Sequence, residues 1–294
     1  MWFVQLVQQL INGLALGSVY ALIAIGYTMV YGIIGLINFA HGDIYMVGAF
    51  IGYFAVSVFN FSLIPAMLLA MVGCALLGVI IERVAYRPIR KSPKITLFIT
   101  AIGVSLLLEN GFRLIVGPDP KPFPELIKMH IYKFGGLQIT NLQILIFSVS
   151  LILVIVLQFI IFKTKVGKAM RAASFDNEAA QLMGINVDNI ISITFALGSA
   201  LAAVAGVLVG IVYVRIEPYM GITPGLKAFV AAVLGGIGIL PGAMLGGVVM
   251  GIAETMTKAY ISSSLSDAIV FSILIIVLIV KPAGLLGKKT NEKV

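Results

Sequence analysis

Long apolar stretches separated by short polar segments dominate the chain. Five of these stretches approach or exceed the roughly 20 residues that a helix needs to cross the core of a bilayer. They are residues 3–31, 63–81, 95–116, 142–162 and 190–214. Shorter apolar stretches occupy residues 44–58 and 267–280. The pattern predicts an all-α, polytopic membrane protein.

Two glycine-rich segments interrupt the apolar pattern and predict breaks in the helices. Residues 31–43 contain three glycines, and residues 235–242 read Gly-Gly-Ile-Gly-Ile-Leu-Pro-Gly inside the apolar run 226–257. Splitting that run gives nine spans, and leaving it whole gives eight. The breaks take comparable positions in the two halves, as expected of an internal repeat. Interrupted helices in matching positions point to a transport site.

Small residues recur at every fourth position in the stretch 190–214. They are Gly198, Ala202, Gly206 and Gly210. One face of this helix is therefore almost bare backbone, which predicts close approach by another helix.

The basic residues lie at the ends of the apolar stretches. The chain is 60% apolar and 11% charged, which excludes an ordinary soluble domain, where about a quarter of residues are charged. Thirteen of the 20 Lys and Arg residues fall in segments 83–94, 163–171 and 281–293. This clustering is typical of cytoplasmic loops. The net charge of +8 therefore does not indicate a nucleic-acid partner.

The positions of these loops predict the orientation of the chain. Three spans precede Arg83, so the N-terminus is expected outside. The chain has no basic residue before Arg83, so a cleavable signal peptide is not expected. The loop 117–140, with four prolines, is expected at the outer face. A cytoplasmic tail then requires an odd number of crossings after residue 214, which favours splitting the run 226–257.

The polar segment 163–188 predicts a short helix outside the membrane. Asp176 is a suitable N-cap, Glu178 complements the positive end of a helix, and Gly184 is a suitable stop. These signals delimit a helix over residues 177–183.

Ala179, Leu182 and Met183 form the apolar side of this helix, and Ala180 is small enough to admit close contact with a partner. A short capped helix between membrane spans has little to bury against, so it predicts a docking element. The alternative is a surface connection that caps itself.

No pattern in the chain is typical of an enzyme or a metal site. The two histidines, His41 and His130, belong to no cluster with the spacing of metal ligands. The sequence contains no serine-centred elbow and no phosphate-binding loop. The single cysteine, Cys74, excludes an internal disulfide. We therefore expect no catalysis, nucleotide hydrolysis or cofactor on this chain.

The polar residues of the first break have two interpretations. Polar groups are costly in hydrocarbon and tend to face a cavity, so Asn38, His41, Gly42 and Asp43 are candidate residues of a permeation path. Alternatively, Asn38 and Asp43 cap the break and start the next span, with Asp43 as the N-cap.

Five segments carry a resemblance to a known family. They are residues 12–22 (NGLALGSVYAL), 36–43 (LINFAHGD), 167–173 (GKAMRAA), 178–184 (EAAQLMG) and 231–238 (AAVLGGIG). Together they resemble the permease subunits of branched-chain amino-acid ABC importers, over nearly the whole chain. Segment 178–184 also resembles the loop by which ABC importer permeases engage their ATPases. The Leu-Pro pair that follows this loop in another importer subtype is replaced by the sequence Phe-Ala-Leu-Gly at 195–198.

The resemblance implies one transmembrane permease domain over residues 1–294, containing a cytoplasmic coupling loop at 163–188. It implies a bacterial cytoplasmic membrane location and, as partners, a second homologous permease chain, two ABC ATPase subunits and an extracytoplasmic binding protein. The coupling residues are then Gly167, Arg171, Ala172, Asp176, Glu178, Ala179, Ala180, Leu182, Met183 and Gly184. The implied substrates are leucine, isoleucine and valine, and related permeases serve other amino acids, amides or urea.

The rival interpretation is a self-contained secondary transporter or channel that uses Glu109, Glu254 or Asp267 as a proton or ion relay. Against it, these carboxylates lie near the predicted ends of spans. Glu109 and Glu254 also have a basic residue four positions on, Arg113 and Lys258, which is typical of a self-neutralising pair. A membrane enzyme ranks third, because the sequence offers no nucleophile and base.

Overall fold

The computed structural model describes residues 2–287, which form eleven α-helices and one β-hairpin. The helices are α1 (Trp2–Ile34), α2 (His41–Ser57), α3 (Leu63–Ile81), α4 (Lys94–Val116), α5 (Asn141–Lys163), α6 (Lys165–Phe175), α7 (Asn177–Leu182), α8 (Val187–Tyr213), α9 (Ile222–Gly235), α10 (Leu240–Tyr260) and α11 (Ser266–Val280). The strands are β1 (Ile131–Phe134) and β2 (Leu137–Thr140). After α3 the chain continues through a π-helical turn and a 3-10 turn to Ile89.

Six helices are long and apolar enough to cross a membrane: α1, α3 with its continuation, α4, α5, α8 and α10. Helices α9 and α11 are apolar but shorter, with 14 and 15 residues, and α2 has 17. The predicted class, an all-α membrane protein, is therefore confirmed, with six helices that are long enough to span a membrane. The predicted number of eight or nine spans is not confirmed.

Helix α1 lies in the centre of the bundle. Its residues 17–30 are all buried, and it packs against α10, α8, α9 and α5. A Cβ atom on Gly13 would lie 2.7 Å from the Cα of Ile252, and one on Gly17 would lie 2.7 Å from the Cα of Val248. Only glycine therefore permits this approach of α1 to α10.

The face of small residues on α8 is the second close contact. A Cβ on Gly206 would lie 2.1 Å from the carbonyl oxygen of Tyr45 in α2, and one on Gly198 would lie 3.2 Å from the Cα of Gly26 in α1. The close approach predicted for this face is confirmed. Helix α8 thereby joins α1 and α2 in the core.

Both predicted breaks are present. Gly35, with φ +68°, follows α1, and Gly236 and Gly238, with φ +109° and +89°, separate α9 from α10. Positive φ is the conformation that glycine adopts without steric penalty. The run 226–257 is therefore divided.

The start of α2 differs from the prediction. The helix begins at His41 rather than at residue 44, its N-cap is Ala40, and no side chain caps it. The interpretation of Asn38 and Asp43 as caps is therefore wrong. Asp43 lies inside the first turn, where a carboxylate still complements the helix dipole.

A β-hairpin in the loop 117–140 was not predicted. Phe134 pairs with Leu137 across a two-residue turn, Gly135 and Gly136, both with positive φ. A Gly-Gly pair is a known hairpin signal, so the sequence did contain the information. Gln8 attaches the hairpin to α1, because its side chain donates to and accepts from the backbone of Gln138, both at 2.8 Å. We call this side of the bundle the hairpin end.

The opposite side carries α6 and α7 and is called the α6–α7 end. There the Nδ2 of Asn177 donates to the carbonyl oxygen of Ile33, at the C-terminal end of α1, at 3.1 Å. The backbone N–H of Leu285 donates to the carbonyl of Leu234, at 2.8 Å, close to the break after α9. That break contacts α1 near Gly32. The chain thus reaches residue 287 at the α6–α7 end, and Lys288, Lys289 and Lys293 lie outside the described residues.

Candidate functional site

The predicted coupling segment folds as two short helices. The hydroxyl of Thr164 caps α6 by accepting from the N–H of Gly167 at 3.1 Å. The carboxylate of Asp176 caps α7 by accepting from the N–H groups of Glu178 and Ala179, both at 2.9 Å. Gly184 follows with φ +83°. The predicted N-cap and glycine stop are both confirmed.

One side of this segment faces the body of the protein. Gly167 is buried, and a Cβ there would lie 2.1 Å from the carbonyl oxygen of Ile161. Ala180 is 4% exposed, and its carbonyl accepts from the N–H of Ile185 at 3.0 Å. Ala180 therefore faces its own chain. The close contact with a partner that is predicted for the neighbourhood of Ala180 stays a prediction, with the side chain of Ala180 itself packed within the chain.

The other side presents large apolar side chains to solvent. Phe175 is 95% exposed, Leu182 is 89% exposed and Met183 is 83% exposed. We call these three residues the coupling surface. Large apolar side chains that are exposed within one short segment are typical of an interaction site. Leu182 and Met183 were predicted from the sequence, but Phe175 was not, although an apolar residue directly before an N-cap is a known helix-start signal.

The remaining candidate coupling residues are all exposed around this surface. They are Arg171, Ala172, Asp176, Glu178, Ala179 and Gly184. The guanidinium of Arg171 lies 5.2 Å from the ring centre of Phe162, so it is held against the end of α5.

Ion pairs join the other basic loop to the start of α8, beside this segment. Asp188 accepts from Arg87 and from Arg90, the latter at 2.7 Å. Arg90 also pairs with the buried Glu82, which accepts from the hydroxyl of Ser192 at 2.6 Å. Both basic loops therefore lie at the α6–α7 end.

Two of the candidate pathway residues fasten the first break to its neighbours. Asn38 is 1% exposed, and its Oδ1 accepts from the hydroxyl of Tyr86 at 2.7 Å. His41 is 2% exposed and packs edge to face on Tyr27, with ring centres 4.9 Å apart. The structure therefore ties both side chains to other helices.

Replacing Asn38 with leucine should lower the free energy of unfolding by about 1–3 kcal/mol, because the buried hydroxyl of Tyr86 loses its acceptor. The double variant Asn38→Leu with Tyr86→Phe should recover part of that loss, since it removes both partners of the bond. Denaturant titration of the detergent-solubilised protein measures both effects. If the losses measured for Asn38→Leu alone and Tyr86→Phe alone simply add up to the loss of the double variant, the two side chains act independently.

Gly42 and Asp43 line a cleft of about 340 Å³ between α2, α4 and α9. Ser105 and Glu109 of α4 line the same cleft. Two carboxyl groups thus share one cleft among membrane helices, a position in which polar groups usually serve a pathway. Asp43 was a candidate pathway residue from its sequence position alone, whereas its proximity to Glu109 was not predicted.

The expected pair of Glu109 with Arg113 is not formed. Glu109 is 6% exposed and lines the cleft, whereas Arg113 donates to the hydroxyl of Tyr219 at 3.3 Å. The interpretation of this pair as self-neutralising is therefore wrong.

The first turns of α2 and α9 meet at glycines beside the cleft. A Cβ on Gly42 would lie 2.6 Å from the carbonyl oxygen of Gly221, and one on Gly225 would lie 2.8 Å from the Cα of Gly42. Both helices therefore begin inside the bundle, side by side, and side chains at these positions would force them apart.

An ion-pair network centred on the buried Lys227 and Glu254 joins four helices. The Nζ of Lys227 lies 2.8 Å from Glu254 and 2.7 Å from Asp267, and Glu254 also pairs with Lys258 at 2.6 Å. The hydroxyl of Tyr20 donates to Glu254 at 2.7 Å. The predicted pair of Glu254 with Lys258 is confirmed, but the larger network was missed. Glu254 and Asp267 are both paired with cations, which is unlike an open proton relay.

The described part of the chain offers no metal centre. Among residues 2–287, no group of three or more His, Cys, Asp or Glu side chains is arranged to hold a metal ion. Cys74 is fully buried, with its Sγ 3.6 Å from the carbonyl oxygen of Ile44. Its surroundings are those of a packed, unreactive thiol.

Comparison with known proteins places this fold in a family. Residues 9–278 match the family described as branched-chain amino acid transport system / permease component. The chain is 45% identical over 305 residues to the high-affinity branched-chain amino acid transport system permease protein LivH of Escherichia coli (strain K12), with 99% of each chain covered. It is 45% identical over 300 residues to BraD of Pseudomonas aeruginosa, which has the same description, covering 98% and 97%.

A more distant relative has a different description. The chain is 27% identical over 266 residues to the ribose import permease protein RbsC of Haemophilus influenzae, covering 90% of this chain and 77% of that one. With the apolar helices described above, these matches identify a multi-pass protein of the cytoplasmic membrane. The chain belongs to the branched-chain amino acid transport system permease family.

Proposed function

We propose that this chain supplies half of the translocation pathway of an ATP-binding-cassette importer for leucine, isoleucine and valine. The observation that carries the proposal is the 45% identity with LivH over the whole length of both chains. The ribose permease is similar at only 27%, so the branched-chain substrate is favoured over a sugar.

The proposed partners are a second homologous permease, two ATPase subunits and an extracytoplasmic binding protein. ATP hydrolysis then belongs to the partner chains, since this chain has no phosphate-binding loop. The whole chain forms one permease domain, and residues 163–188 are its coupling loop. The exposed coupling surface supports this assignment, because it offers apolar contact at one end of the bundle.

The α6–α7 end is proposed to face the cytoplasm. The basic segments 83–94 and 163–171 both lie there, in accordance with the positive-inside rule. We propose nine membrane-embedded helices, of which α2 and α9 cross only part of the bilayer. The two glycine-rich breaks and the meeting of the first turns of these short helices support an internal repeat.

We propose that the cleft lined by Gly42, Asp43, Ser105 and Glu109 belongs to the substrate pathway. Polar side chains there can replace part of the water around a zwitterion. Asn38 and His41 contribute by holding the break between α1 and α2 in place.

Uptake of labelled leucine into proteoliposomes tests the proposed function. The complete transporter, loaded with ATP and supplied with binding protein, should accumulate leucine, and omitting the ATPase subunits should abolish uptake. A protonophore should have no effect. Uptake that persists without ATPases and collapses with the protonophore would instead support the secondary transporter.

Cysteine labelling tests the proposed orientation. In a Cys74→Ala background, Ser174→Cys should react with a membrane-impermeant maleimide only from the cytoplasmic side, because Ser174 is exposed at the α6–α7 end. Lys133→Cys, in the hairpin, should react only from outside. Cys74 itself should stay unlabelled because it is buried. Labelling of Ser174→Cys in intact cells would reverse the orientation.

A further inference from the structure

A second cavity, of about 490 Å³, lies between α1, α2, α8 and the start of α9. Arg215 and Glu217, in the segment that joins α8 to α9, form part of its wall. The backbone of Ile216 pairs with Lys121, in the loop that carries the hairpin, at 2.8 and 3.0 Å. The cavity therefore lies toward the hairpin end, on the side opposite to the coupling surface.

One polar group in its wall has no partner. Tyr45 is fully buried, and its hydroxyl makes no hydrogen bond with the described residues. Tyr20, in the same wall, instead donates to Glu254 at 2.7 Å. A buried hydroxyl without a partner is unfavourable unless a ligand or a water supplies one. Tyr45 thus points to a hydrogen-bond acceptor in this cavity.

The start of α9 also favours a ligand that carries a hydrogen-bond acceptor. Thr223 and Pro224, in the first turn of this 14-residue helix, line the cavity, and no side chain caps the helix. The N-terminal end of a helix carries partial positive charge and binds anions. The wall also contains apolar side chains, among them Leu16, Val19 and Val209.

We propose that this cavity binds an aliphatic amino acid, such as leucine, as it enters from the hairpin end. The carboxylate accepts from the hydroxyl of Tyr45 and from the backbone N–H of Thr223, in the first turn of α9. The aliphatic side chain lies against Leu16, Val19 and Val209. The size of the cavity falls within the roughly 300–1,000 Å³ typical of small-molecule sites.

This proposal rests on the proposed function and adds to it a second binding site, which the amino acid would occupy before it reaches the cleft. The glycine contact between Gly42 and Gly221 lies where the cleft and the cavity approach each other, since Gly221 lines the cleft and Met220 lines the cavity. An amino acid would thus reach the cleft from the cavity only when the first turns of α2 and α9, which are in backbone contact here, move apart.

Tyr45→Phe tests the site in the purified transporter without binding protein. L-leucine should raise the thermal unfolding temperature of the wild type, and leucinamide, which lacks the carboxylate, should not. Tyr45→Phe should need about tenfold more leucine for half of the effect, because a hydrogen bond to a charged group is lost. Without leucine, Tyr45→Phe should unfold at the same temperature as the wild type, because the hydroxyl that it removes makes no hydrogen bond. Tyr53→Phe, on the same helix but packed on Phe54 and Phe123, is the matched control and should behave as wild type.

Val209→Trp tests the same cavity by filling it. Leucine uptake should be lost and leucine should no longer raise the unfolding temperature, whereas Val72→Trp, 58% exposed on α3, should transport normally. Absence of leucine uptake by the wild-type transporter would overturn the proposed function. A wild type that transports leucine, together with Tyr45→Phe and Val209→Trp variants that match it, would overturn only the cavity proposal.

Discussion

Leu182→Asp combined with Met183→Asp should release the ATPase subunits from the detergent-solubilised transporter and abolish amino-acid uptake. Both side chains are more than four-fifths exposed, so the change removes little packing within the chain. In the complex, each aspartate would place a charge where apolar contact is proposed, and burying an unpaired charge is very costly. Loss of a central apolar contact weakens association by roughly 30-fold or more for each residue. Pull-down of the ATPases and leucine uptake in proteoliposomes measure the outcome.

The unfolding free energy of this double variant should stay within about 0.5 kcal/mol of wild type, as expected for exposed positions. Lys165→Ala, at the exposed start of α6, is the control and should keep both the ATPases and transport. If the double variant retains its ATPases and transports at the wild-type rate, the coupling surface lies elsewhere.

Glu254→Met should lower the free energy of unfolding by about 3 kcal/mol, the lower end of the range for breaking a buried ion pair, because the buried Lys227 keeps only the half-exposed Asp267 as a partner. Glu254 accepts from Tyr20, Lys227 and Lys258, and the side chain of Lys227 is only 6% exposed. The loss should be visible as a lower denaturation midpoint in detergent. It would also loosen α9, since Lys227 would be held by Asp267 alone.

The double variant Lys227→Met with Glu254→Met should be more stable than Glu254→Met, because it removes the stranded cation as well. Glu217→Ala is the matched control. It breaks the exposed pair of Arg215 with Glu217, which should contribute about 1 kcal/mol or less. A Glu254→Met variant as stable as Glu217→Ala would show that the network does not hold the helices together.

The parts of the fold that depend on local sequence could be predicted. The carboxylate of Asp176 reaches two N–H groups within three residues, and Gly184 needs a backbone conformation that other residues avoid. The same applies to the breaks at Gly35 and Gly236. Such features are determined by neighbours along the chain, so the sequence identifies them without knowledge of the fold.

The parts that depend on contacts between distant residues could not be predicted. Whether Ala180 faces a partner or its own chain depends on how α7 docks on α1, through a bond between residues 144 positions apart. For the same reason, the sequence alone does not predict the network around Glu254 or the proximity of Asp43 to Glu109. Apolar helices have little amphipathic pattern, so the sequence hardly indicates which faces meet.

Helix α1 connects the two ends of the bundle without interruption. Its 33 residues correspond to about 50 Å, at roughly 1.5 Å per residue. Asn177 of α7 is bonded to one end and the hairpin is bonded near the other, through Gln8. Both attachments are therefore made to the same continuous helix. If the α6–α7 end faces the cytoplasm, as proposed, a displacement of α7 by the ATPase subunits would be passed along this one helix to the outer membrane surface, where the proposed binding protein would dock.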